Sequence, residues 1–72
     1  MANVMIQYDE AGELSLYLPK KDLEEKVTYF EFDGAERWGG EVHLANGAIY
    51  FIEPMLKPQL PITLRAKRLQ AA

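Results

Sequence analysis

The side chains able to do chemistry in this chain are few, and they narrow its functions quickly. There is one histidine, His43, and there is no cysteine. His43 stands two residues from Glu41, so on an extended strand both side chains leave the same face. With Asp33 or Glu36 brought in from a loop, the pair would make a nitrogen–oxygen metal site. Zinc and iron sites ordinarily draw on several nitrogen or sulfur ligands, however, and one imidazole without thiolates falls short of that. The residues favour a solvent-facing histidine packed across from Tyr50. Missing cysteines also remove disulfides, thiolate-bound zinc and cysteine-ligated iron–sulfur clusters, which argues against a metal-cluster carrier. Carboxylates are abundant at Asp22, Glu24, Glu25, Glu31, Asp33 and Glu36, but no spacing marks a general acid–base pair. No glycine-rich phosphate loop or nucleophile elbow accompanies them. The expectation is a protein without catalytic residues or a cofactor.

Two further groups point to binding. Trp38-Gly39-Gly40 places the single tryptophan before two glycines. Such a ring either caps a small core or stands exposed as an anchor for a partner. Arg65, Lys67 and Arg68 form the one basic cluster. They suit contact with phosphate or an acidic protein surface, or they guard a terminal strand against edge-to-edge pairing. Trp38, Arg65, Lys67 and Arg68 are therefore the candidate partner-binding residues. Charge is divided unevenly along the chain. All eleven acidic residues lie at or before Glu53, with four basic ones, leaving −7 there, while the tail from Pro54 carries +4. The overall charge of −3 argues against general nucleic-acid binding. Lack of an aromatic between the tail's cations weakens that reading further.

These residues need a scaffold, and 72 residues allow one domain, 1–72, with a single core. Apolar and polar residues alternate over 4–8 and 13–18, with Glu10, Ala11 and Gly12 as a three-residue loop between them. That loop pairs Tyr8 with Leu14 and Ile6 with Leu16, keeping one face apolar. Pro19 ends the second run, and residues 19–26 read as a loop with room for one helical turn capped by Asp22 and Glu25. Residues 27–32 read as a third strand with Phe30 and Phe32 inward. Residues 41–45 and 48–53 flank Asn46-Gly47, a strong signal for a two-residue hairpin. This places Leu44 opposite Ile49 and Val42 opposite Phe51, with Val42, Leu44, Ile49 and Phe51 as one apolar patch. Three prolines between Pro54 and Pro61 suggest an extended connector. Residues 62–68 form the last strand. Six short strands with turn signals predict an all-β fold, a small antiparallel six-stranded barrel or rolled sheet.

The N-terminal residues show neither a basic region nor a long apolar run, which argues against a secretory signal. No stretch is apolar enough for a membrane-spanning helix. Oligomeric state is left open by the residues.

Four segments, in order, resemble the NifT/FixU family of small proteins from nitrogen-fixation gene clusters. They are Tyr17-Leu18-Pro19-Lys20-Lys21-Asp22-Leu23-Glu24-Glu25, Trp38-Gly39-Gly40, Leu44-Ala45-Asn46-Gly47, and Leu60-Pro61-Ile62-Thr63-Leu64-Arg65-Ala66-Lys67-Arg68. The similarity runs over roughly residues 4 to 69. It implies a cytoplasmic, barrel-like accessory protein of nitrogen fixation, binding a component of nitrogenase or of its maturation machinery. It supplies no catalytic residues. The alternative is a small barrel binding nucleic acid, or a generic protein partner, through the basic C-terminal strand.

Overall fold

Alternating residues give strands, and six of them form in the computed structural model, which describes residues 2–72. They are β1 (Ala2–Tyr8), β2 (Leu14–Leu18), β3 (Leu23–Asp33), β4 (Trp38–Leu44), β5 (Ile49–Met55) and β6 (Ile62–Gln70). Each pairs antiparallel with the next, and β6 returns to β1, so the sheet closes into a barrel. Closure leaves no unpaired edge and gives every strand one shared interior. The expected all-β, six-stranded class is the one observed, and the described residues contain no helix.

The first hairpin follows its sequence. The Asp9 N–H donates to Glu13 O at 2.8 Å and the Gly12 N–H to Asp9 O at 2.9 Å, leaving Glu10, Ala11 and Gly12 as the loop. Tyr8 faces Leu14 and Ile6 faces Leu16, as the alternation requires. The Asp9 side chain adds to this, because Oδ1 accepts from the N–H groups of Ala11 at 2.9 Å and Glu13 at 3.0 Å. Asp9→Ala removes both bonds at once. The expected loss is about 1–2 kcal/mol in urea unfolding, with Asp9→Asn losing less because it retains an acceptor.

The second hairpin departs from the two-residue reading. Leu44 N–H donates to Ala48 O at 2.9 Å and Gly47 N–H to Leu44 O at 3.0 Å, so Ala45, Asn46 and Gly47 form a three-residue loop. Gly47 takes the left-handed position at φ +94°, and Asn46 Oδ1 accepts from the Ala48 N–H at 3.0 Å. One added loop residue slips the register by one and turns β5 over. Val42 therefore faces Tyr50, and Gly40 faces Ile52. Tyr50 and Ile52 are buried with Val42 and Leu44, while Ile49 and Phe51 lie half-buried on the outer face. The interior gains a tyrosine ring and an isoleucine where the shorter loop would have supplied an isoleucine and a phenylalanine.

β3 also differs, starting at Leu23 rather than 27 and ruling out a helical turn. Only Pro19 to Asp22 make the turn, where Lys21 N–H donates to Leu18 O at 3.1 Å and Asp22 sits at φ +48°. Leu23 and Val27 pack on the core, and a bulge between Val27 and Tyr29 then shifts the phase so that Phe30 also points inward. Phe32 stays outside this core, covered by the Arg37 guanidinium 4.5 Å from its ring centre. Pro54 belongs to β5 rather than to a connector. It falls in the bulge opposite Gly39, where the ladder asks for no N–H.

Candidate functional site

Antiparallel closure sorts the loops into two ends. The 9–13, 34–37 and 56–61 loops share one end. The other end gathers the start of β1, the turn after β2, the 45–47 loop and the end of β6. Trp38, Arg65, Lys67 and Arg68 divide between these regions.

Trp38 opens β4 at the first end and has no exposed surface. Its ring lies 4.9 Å from Phe30, tilted by 40°, and its Nε1–H has no acceptor among the described residues. The ring therefore fills the interior, and Trp38 caps the core rather than standing exposed as an anchor for a partner. His43 also changes partners. The register slip puts Tyr50 inside, so His43 on the outer face meets Tyr29 edge-on at 5.0 Å instead. Its Nε2 lies 3.0 Å from Glu41 Oε1, and no third ligand-type side chain joins them among the described residues.

The basic residues come together at the second end. Ile62, Leu64 and Ala66 alternate inward along β6, and Arg68 continues that series past the packed interior to the barrel mouth. Lys67 faces Phe51 across the β5–β6 ladder. Lys20 and Lys21 come from the turn after β2. These four cations, with Ala2, Asn3, Leu18 and Tyr50, line a concavity of about 360 Å³. Among the described residues no carboxylate lines it. Among the described residues the ion pairs of lysine or arginine are Lys26–Glu13 and Lys57–Asp33, so the four pocket cations have no ionic partner there. Arg65 faces outward beside Asn3 and lies outside the pocket. The sequence cluster thus loses Arg65 and gains Lys20 and Lys21. Only strand pairing could reveal that exchange, since the two lysines lie far away in sequence within a turn that reads as a solvated loop.

Asp22, the acidic residue beside these lysines, is engaged elsewhere. It accepts a hydrogen bond from the Tyr17 hydroxyl at 2.6 Å. That bond, with smaller contributions from burial and from the Asp22 charge, raises the Tyr17 pKa above its usual 10.0. A raised folded-state pKa stabilises the fold below the unfolded value, and the contribution is lost as pH climbs through the folded one. The Tyr17 ring is therefore expected to titrate later than a free tyrosine by NMR. Asp22→Asn should return it toward the ordinary value.

Fold and site define a small closed antiparallel barrel with a cation-rimmed, carbon-floored pocket at one end. Comparison with known proteins places this barrel in a family. The family described as NifT/FixU protein matches residues 1–66, and the chain belongs to it. It is 54% identical to Protein NifT of Azotobacter vinelandii over 94% of each chain. It is 39% identical to Protein NifT of Klebsiella pneumoniae, over 90% of this chain and 92% of that one. A FixU homolog of Sinorhizobium fredii is 37% identical over 78% of this chain and 72% of its own. No solved structure matches the chain. The family is one of nitrogen fixation.

Proposed function

We propose that this protein is a non-catalytic, cytoplasmic accessory factor of nitrogen fixation. It acts by binding a protein component of nitrogenase or of its maturation machinery through the basic end of the barrel. The observation that carries this reading is the convergence of Lys20, Lys21, Lys67 and Arg68 on one concavity without a carboxylate to neutralise them. In an acidic protein of net charge −3, such a focus attracts negatively charged surfaces and orients their approach. Family membership supports the process, and no helix of the described residues is long and apolar enough to cross a membrane.

Affinity capture from nitrogen-fixing cells tests it, with the wild type beside Lys67→Glu/Arg68→Glu. Both substitutions fall on exposed side chains, so the circular dichroism spectrum and melting curve should not change. Recovery of a nitrogenase-system protein is expected with the wild type, falling roughly tenfold with the double variant. Capture of unrelated proteins alone sinks the reading, as does equal recovery by the variant. A nucleic-acid role through Arg65, Lys67 and Arg68 is less favoured. Arg65 lies outside the pocket and the chain's net charge is −3, so the basic surface available to a nucleic-acid backbone is short.

A further inference from the structure

The basic end has two chemically different parts, and together they describe what it holds. Its rim is cationic, with Lys20 and Lys21 on one side and Lys67 and Arg68 on the other. Its floor is largely carbon, supplied by Leu18, Ala2 and the buried Tyr50. Leu18 and Tyr50 belong to the core and are 7% and 4% exposed, so the floor is formed by their outermost atoms where the core meets the barrel mouth.

A bare inorganic anion uses only half of this. It would meet exposed lysines, whose individual ion pairs are weak, and it would leave the apolar floor wet. A purely apolar ligand would enter the floor but gain nothing from four unpaired cations. The ligand that satisfies both parts carries one apolar group between negative charges. At about 360 Å³ the concavity lies near the lower end of the range for binding pockets, large enough for one side chain and its flanking backbone. We infer that the pocket receives an acidic peptide segment of the partner, with one large apolar side chain on the floor of Leu18, Ala2 and Tyr50. Flanking aspartates or glutamates then meet Lys20, Lys21, Lys67 and Arg68. This rests on the reading of the basic end as the partner site and specifies what that partner presents.

The first probe is a pentapeptide of aspartate, glutamate, leucine, glutamate and aspartate, blocked at both ends. The second has serine in place of the leucine, and the third is inorganic pyrophosphate. Each is titrated into the intact ¹⁵N-labelled protein. The leucine peptide is expected to give saturable amide shifts centred on Leu18, Lys20, Lys21, Tyr50, Lys67 and Arg68. Serine in place of leucine should weaken binding roughly tenfold, the share expected for a partly buried leucine. Lys67→Glu/Arg68→Glu should weaken the leucine peptide by a similar factor and flatten its salt dependence.

Equal binding of the serine peptide or of pyrophosphate at these amides overturns the apolar subsite while the partner reading stands. Absence of shifts at low-millimolar leucine peptide overturns it too. A third contrary outcome is the same amides shifting as the protein's own concentration rises, an effect abolished by the double variant. That would make the occupant the acidic end of a second copy. Failure of the partner reading itself shows in the capture experiment, independently of these titrations.

Discussion

Trp38→Ala is expected to remove most of the cooperative stability of this protein. Trp38 is the largest fully buried side chain, and its ring contacts Phe30 where β3 and β4 meet. Truncating a buried tryptophan ordinarily costs about 3–5 kcal/mol, through lost transfer energy and the cavity left behind. A chain of 72 residues has only about 4–11 kcal/mol of total stability at typical per-residue values. The loss is therefore comparable to the whole. Trp38→Phe should cost much less, because it retains an aromatic ring and removes the orphaned indole N–H. An unpartnered buried donor itself costs about 1–3 kcal/mol, which offsets part of the lost volume. Urea unfolding followed by circular dichroism measures both variants, and a change within about 1 kcal/mol for alanine would contradict a core role. The wild-type chain offers a second check, since its single tryptophan should emit like a buried indole and shift to the red on unfolding.

Much of this architecture is legible in the residues, and the failures have physical causes. The β1–β2 register was readable because only the three-residue loop keeps Ile6, Leu16 and Leu14 on one face. The β4–β5 register was not, because both faces of β5 are apolar. Ile49 and Phe51 compete with Tyr50 and Ile52 for the interior, so alternation cannot choose between a two- and a three-residue loop. The choice is made by closure, with β6 on the far side of β5, and the Asn46 side chain then secures the Ala48 N–H. The early part of β3 was hidden for another reason. Glu25 is paired with Leu16 on the core-facing phase, yet it is a half-buried carboxylate, so the run Glu24-Glu25-Lys26 reads as loop. At the candidate site, Arg65, Lys67 and Arg68 are legible as one basic cluster, but nothing local in sequence separates Arg65 from the pocket or joins the other two to Lys20 and Lys21. Three-dimensional closure creates that cluster.

Gly39→Ala should rival the tryptophan change although it adds only a methyl group. Gly39 lies in β4 at φ +129°, in a region that L-residues avoid, opposite the β5 bulge that contains Pro54. A Cβ built there would approach Ile52 O at 3.0 Å, Glu53 O at 3.2 Å and Pro54 Cα at 3.3 Å. All three neighbours are backbone of a paired strand, so relief requires the ladder or the bulge to move. Backbone strain of about 1–3 kcal/mol combined with that crowding gives an expected loss of roughly 3–4 kcal/mol. Gly12→Ala is the control. It shares a positive φ, at +80°, but a Cβ there meets nothing within 4 Å, so its cost is only the left-handed penalty of about 1–2 kcal/mol. Gly40→Ala should also exceed the control. At φ +81° its Cβ would approach Glu31 Oε1 at 2.5 Å, the Phe32 ring at 2.8 Å and Glu31 Cβ at 3.1 Å, and the Glu31 carboxylate accepts the Glu41 N–H at 2.9 Å. Urea midpoints for Gly39→Ala and Gly40→Ala should both fall below that of Gly12→Ala. If Gly39→Ala proves no worse than Gly12→Ala, β4 and β5 do not cross as closely as the bulge requires. The tryptophan beside Gly39 would then lose the constraint that aims it into the barrel.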